Sequence, residues 1–175
     1  EPLAPHGGDI GLGAMINATY FEPPVNGENG DGYYFEGDIL EFVIYNFILN
    51  SSQLKIIENY MAAKYRQQIE TDIQNDLFDY RTSHEHELFG IGRDDVNNNH
   101  IKAQGSGIIR FDNPTTIADG EYLISGHDSG SIAAWTNTDV PAVYDTALLR
   151  LEREWRVTES GVGQLLVGVD TSQTP

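Results

Sequence analysis

The stretch from Phe35 to Asn46, followed by Asn50 to Tyr65, limits the fold of this chain more than any other feature. The first part reads as a strand with two apolar faces. Ile39, Val43 and Tyr45 lie on one side and Leu40, Phe42 and Ile44 on the other, with Glu41 as its lone charge. A strand of that kind belongs inside a sheet covered on both sides. The second part reads as an amphipathic helix. Asn50 is placed to cap it, with Gln53 reaching back to the cap. Leu54, Ile57, Met61 and Tyr65 recur at helical spacing and predict its buried face.

The local wording of this strand and helix resembles the closing strand and exit helix of bacterial LamG-type, concanavalin-like sandwiches. The resemblance rests on Gly37-Asp38, Tyr45-Asn46, Ile57-Glu58-Asn59-Tyr60 and Ala62-Ala63-Lys64-Tyr65. Downstream, residues 89–95 (Phe89 to Asp95) and 153–161 (Arg153 to Gly161) resemble an uncharacterised β-domain that follows such sandwiches in large secreted bacterial surface proteins. The resemblance spans roughly residues 33 to 170 in order. It implies a cell-surface or secreted protein, and it implies that Arg93 and Asp94 form a structural ion pair. Those sandwiches usually carry Gly after the Lys-Tyr pair, where it stops the helix. Arg66 stands there, so the helix is expected to run on towards Ile73.

The resulting fold expectation is mainly β: an antiparallel β-sandwich with one amphipathic α-helix linking to an incomplete LamG-like portion. Residues 1–49 supply terminal strands of the first sandwich, 50–73 the linking helix and 74–175 the second β-domain. Candidate strands in the second domain are Leu88–Ile91, Gly107–Phe111, Tyr122–Ser125, Ile132–Trp135, Ala147–Val157 and Gln164–Val169. Ala147–Val157 is the clearest, with Leu149, Leu151, Trp155 and Val157 on one side and charges on the other. The first sandwich has too few strands ahead of Tyr45 to close. Its strand is therefore expected to be completed by upstream chain or a neighbouring subunit. The chain opens on Glu1 rather than Met and reads as a processed segment, with Glu1–Asp9 as an arm.

Charge excludes some partners. Asp and Glu number 27 against 10 Lys and Arg, a net charge of −17. Nonspecific nucleic-acid or anionic-membrane binding is disfavoured, because phosphates are repelled. No apolar run approaches the length of a membrane span. Cysteine is absent, which removes disulfides and thiol chemistry. Neither a G-x-S-x-G elbow nor a P-loop occurs, and the chain reads as a non-enzyme.

The best metal candidate is the loop Asp94, Asp95, Asn97 and Asn99, whose oxygen side chains suit calcium. The competing reading is a turn in which Asn and Asp bond their own backbone. Asn26–Gly32 reads as a mobile hairpin tip. His84 and His86 share a strand face but lack a third ligand at a recognisable spacing, so a solvated loop is expected. His127-Asp128 reads as part of a tight turn. Tyr33, Tyr34 and Trp135 are candidate sugar-stacking platforms, whereas Trp155 is expected in the core. The function expected is an extracellular or cell-surface structural or adhesive module, acting by binding or assembly with other subunits or upstream domains, with calcium as a stabiliser. The alternative is a carbohydrate-binding module of a larger secreted polysaccharide-active protein, with glycans as partners.

Overall fold

The structure is a computed structural model that describes residues 37–67, 69, 75–105, 108–141, 143 and 148–173. The chain divides into two compact units, Glu1–Ile48 and Leu49–Pro175. The expected arm Glu1–Asp9, the tip at Asn26–Gly32, and Tyr33 and Tyr34 lie outside the described residues. Within the first unit, residues 38–45 carry no regular secondary structure. Ile39, Leu40, Phe42, Val43 and Ile44 are all exposed, although the sequence predicts burial on both faces. Tyr45 and Phe47 pack edge to face at 5.9 Å.

The second unit opens with helix α1, Ser51–Lys64. Its start follows the predicted capping box. The Gln53 N–H donates to Asn50 Oδ1 at 2.9 Å, and the Asn50 N–H donates to Gln53 Oε1 at 3.0 Å. Its end does not follow the prediction. Arg66 takes the left-handed conformation, with φ 52. The Arg66 N–H donates to the Ala63 carbonyl and the Gln67 N–H to the Ala62 carbonyl. That pair of bonds is a Schellman stop, so the helix ends here without the glycine that normally makes it easy. The buried face also differs. Ser52, Ile56, Asn59, Ala62 and Ala63 are buried, while Leu54 is exposed and Ile57, Met61 and Tyr65 are only partly covered. The stripe is rotated because Ser52 and Asn59, polar in sequence, find hydrogen-bond partners inside.

Among the described residues nine strands follow: β1 His86–Arg93, β2 Asn99–His100, β3 Lys102–Gln104, β4 Ile109–Asp112, β5 Glu121–His127, β6 Trp135–Thr136, β7 Arg150–Leu151, β8 Trp155–Glu159 and β9 Leu166–Val169. A four-stranded sheet runs β2-β1-β5-β8, a three-stranded sheet β3-β4-β9, and β6 pairs with β7. Every pairing is antiparallel. Among the described residues the fold is mainly β, a sandwich with one α-helix, as the sequence predicts. The expected single strand Ala147–Val157 is divided between two sheets. The break lies at Glu152–Glu154, where the chain crosses Gly130 so closely that a Cβ there would sit 2.8 Å from the Arg153 Cα. Ile132–Trp135 bends at Ile132 and Ala133 and contributes only Trp135 to a strand.

The four-stranded sheet carries a core on each face. On one face Leu88 and Ile124 meet Ala63 of α1 and Phe78. On the other, Phe89, Ile91 and Leu123 meet Phe111 of the second sheet. Phe89 and Phe111 stack at 4.9 Å. Strand alternation explains the division: from Leu88 onward in β1, and in β5, even-numbered residues face the helix and odd-numbered ones the opposite face. Glycine clears the helix face at Gly92, where a Cβ would strike the Tyr122 ring at 2.1 Å.

Candidate functional site

The first motif, Gly90 to Asp95, lies at the seam between α1 and the four-stranded sheet. Tyr122 lies over Gly92, and its hydroxyl donates to Asp94 Oδ1 at 2.6 Å. Lys55 Nζ of α1 reaches the same oxygen at 2.6 Å. Ser52 Oγ accepts from the Asp94 N–H at 2.9 Å and donates to the Asn98 carbonyl at 2.6 Å. Burial pushes the Asp94 carboxyl up, but hydrogen bonds from Lys55, Ser51 and Tyr122 outweigh it and hold the group below the ordinary range. Burial, and then the Asp94 bond, push the Tyr122 hydroxyl well up. Arg93 does not pair with Asp94 as the resemblance implies. Its Nε donates to Asp119 at 2.7 Å.

The four candidate calcium ligands serve different partners. Asp94 is taken by Lys55 and Tyr122. Asp95 Oδ1 accepts the N–H groups of Asn97 and Asn98 at 2.7 and 3.0 Å, and its Oδ2 accepts the Asn98 amide at 2.8 Å. The Asn99 amide donates to the Val96 carbonyl at 3.0 Å. Those are the bonds of a self-satisfied Asx turn. Among the described residues no three His, Asp or Glu side chains gather in an arrangement that could hold a metal ion.

A second cluster forms where β1, β5 and β8 end, and the sequence reading misses it. His127, almost fully buried, makes a 2.8 Å hydrogen bond from Nε2 to Glu87 Oε2. Its Nδ1 accepts the Ser129 N–H at 3.0 Å. These bonds select the neutral tautomer with the proton on Nε2. His86 stacks on His127 at 5.8 Å and Trp155 meets it edge-on at 6.3 Å. Arg153 lies over Trp155 and 3.9 Å from Glu87. A bulge in β1 between His86 and Phe89, with Glu87 at φ 50, turns both His86 and Glu87 towards His127. With both ring nitrogens bonded, the imidazole fastens the sheet end rather than offering a free base. Trp155 is half-buried here instead of lying deep in the core. No local spacing announces this cluster, because its members meet only through strand register.

The second motif is used in the same way. Arg153 Nε donates to the Gly130 carbonyl at 2.7 Å, and Asp128 Oδ1 accepts the Glu154 N–H at 3.0 Å. Thr158 Oγ1 accepts the Asp79 N–H at 3.0 Å, and Ser160 Oγ accepts the Tyr122 N–H at 3.0 Å. Residues 53–175 match the model of a domain of unknown function, DUF8202. The chain belongs to the DUF8202 family. The matched region takes in both motifs, all nine strands and α1 from its third residue. Searches of curated proteins and of solved structures find no match. In this DUF8202 chain the motif residues hold helix, sheets and turns together. Of the three candidate sugar platforms only Trp135 is described; it is 46% exposed, on β6 opposite Leu151.

Proposed function

We propose that this DUF8202 chain is a non-catalytic structural or adhesive module of an extracellular or cell-surface protein, acting by binding or assembly. The observation that carries this reading is a contrast. Motif side chains are bound to the scaffold, while in two places among the described residues three or more neighbouring large apolar side chains stand exposed together. One is Ile39 to Ile48 in the first unit. The other is strand β9, where Leu166, Val167 and Val169 are exposed. Exposed apolar groups of this kind mark contact surfaces more often than catalytic ones. A net charge of −17 supports the reading, since it keeps such a surface soluble and disfavours nucleic acid. The described residues contain no helix long and apolar enough to cross a membrane.

Light scattering and electron microscopy of the purified chain, with glycan arrays in parallel, test the proposal. Association with itself or with protein partners is expected. Selective retention on polysaccharide, lost in Trp135→Ala, would replace it with the carbohydrate-binding reading, which the exposure of Trp135 favours.

A further inference from the structure

We propose that strand β9 is the self-association surface, pairing antiparallel with β9 of a second copy about a two-fold axis at Gly168. This rests on the assembly reading and names its surface. β9 is an edge of the three-stranded sheet; among the described residues it pairs only with β4. The Asp170 N–H donates to the Ile108 carbonyl at 2.7 Å, which fixes the strand's parity. Leu166, Gly168 and Asp170 turn their backbone groups towards β4. Val167 and Val169 turn theirs outward. The outward groups are those an added strand would use.

The side chains fit the same operation. Val167 lies opposite Phe111 and Val169 opposite Ile109, so both valines are on the core face of the sheet. Phe111 is 4% exposed, yet Val167 and Val169 are 57% and 56% exposed. The apolar layer therefore reaches the edge without being covered there. A two-fold axis at Gly168 sets Val167 against Val169 of the second copy, and Val169 against its Val167. Four backbone hydrogen bonds form, and the core face gains two Val–Val pairs. Gly168 meets its own copy at the non-hydrogen-bonded position, where strands approach most closely. The sequence Val167-Gly168-Val169 reads the same in both directions, as an isologous contact favours.

Charge permits a second copy here. Ser160 to Val169 is a ten-residue run without a charged side chain, in a chain of net charge −17. The nearest acid on the strand is Asp170. In the paired arrangement the two Asp170 residues are four strand steps apart, roughly 13 Å, beyond a screening length of about 8 Å at physiological salt. β9 also lacks the lysine, proline or bulge that commonly protects an edge. So short a strand buries less than a standard interface, which places the contact among weak, concentration-dependent ones.

Sedimentation of the full 175-residue chain from 10 μM to 1 mM, at about 0.15 and 0.5 M NaCl, tests this. A dimer that strengthens with salt is expected, because salt screens repulsion between two acidic copies. Val167→Pro removes an outward N–H and leaves the ladder to β4 intact. It deletes two of the four proposed bonds and should weaken the dimer at least tenfold. Amide exchange on the unmutated chain should show Val167 and Val169 becoming protected as concentration rises, whether or not the variant folds. A dimer without that protection, or one that a folded Val167→Pro leaves unchanged, overturns β9 as the surface and leaves the assembly reading standing. A chain monomeric at 1 mM in both salts overturns the β9 proposal outright. Association with other protein partners would then still support the broader reading.

Discussion

Lys55 and Asp94 meet at 2.6 Å across the seam between the helix and the four-stranded sheet, with the Tyr122 hydroxyl on the same carboxylate oxygen. The pair is mostly covered, so removing one member leaves the other short of a partner in a poorly solvated place. Asp94→Ala should cost about 2–4 kcal/mol in urea melts. Tyr122→Phe should cost about 1–2 kcal/mol. A Lys55/Asp94 double-mutant cycle should return a coupling above about 1 kcal/mol. Additive single effects would mean that the helix is held without this contact.

The helix face makes a second prediction. Asn59 donates to the carbonyls of Lys55 and Asn75 and accepts the Leu77 N–H at 2.9 Å. Asn59→Leu should cost about 2–4 kcal/mol, because it strands the Asn75 and Leu77 backbone groups. Leu54→Asp should stay within about 0.5 kcal/mol of wild type. The reverse ranking would restore the apolar stripe as the packed face.

How much of this the sequence discloses depends on range. The Asn50–Gln53 box is legible because its bonds span three residues. Most strands are legible because alternation and turn residues are local. The helix face is not: Ser52 and Asn59 look solvent-facing until residues 46 and 18 positions away supply partners. Ala147–Val157 misleads for a related reason. Its alternation in sequence suggests one strand, but distant bonds to Ala134, Ser131 and Asp128 break it at Glu152–Glu154, and Leu149 and Val157 are exposed. The loop at Asp94 reads equally as calcium ligands or as a turn. Only the positions of Lys55 and Tyr122 show where its first carboxylate goes.

Arg66 supplies a third prediction. A side chain in the left-handed region costs about 1 kcal/mol relative to glycine. The Arg66–Glu85 ion pair offsets little of this, since Arg66 is 72% exposed. Arg66→Gly should therefore raise stability by about 0.5–1 kcal/mol. The Glu85 carboxyl, held low mainly by its Arg66 hydrogen bond, should move up, which NMR titration would follow. A loss of stability would show that the ion pair outweighs the backbone.

For calcium, melting curves should coincide in millimolar calcium and in excess chelator, because Asp94 and Asp95 already accept protein donors. A calcium-dependent rise in melting temperature would show that residues 94–99 rearrange around an ion, through Asp94, Asp95, Asn97 and Asn99.

Acid should weaken this fold in two separate windows, the first set by histidine. Burial lowers the pKa of His127; the Glu87 hydrogen bond pulls the other way, and Arg153 and His86 add to the lowering. Burial also lowers the pKa of His100. A histidine whose folded pKa lies below its unfolded value takes up its proton more readily once unfolded. Its contribution is therefore full above the unfolded pKa, about 6.5, and is lost as pH falls below it. Protonation at Nδ1 also turns an acceptor of the Ser129 N–H into a second donor, so that bond must break. The carboxyls of Glu85, Asp94, Asp95 and Asp128 are all lowered, so their contribution goes only as pH drops through the acid range below about 4. Urea melts between pH 8 and 5 should show a plateau and then a fall beginning near 6.5. His127→Gln should flatten much of that fall and leave the lower window in place. An unchanged slope in the variant would assign the first window to His100.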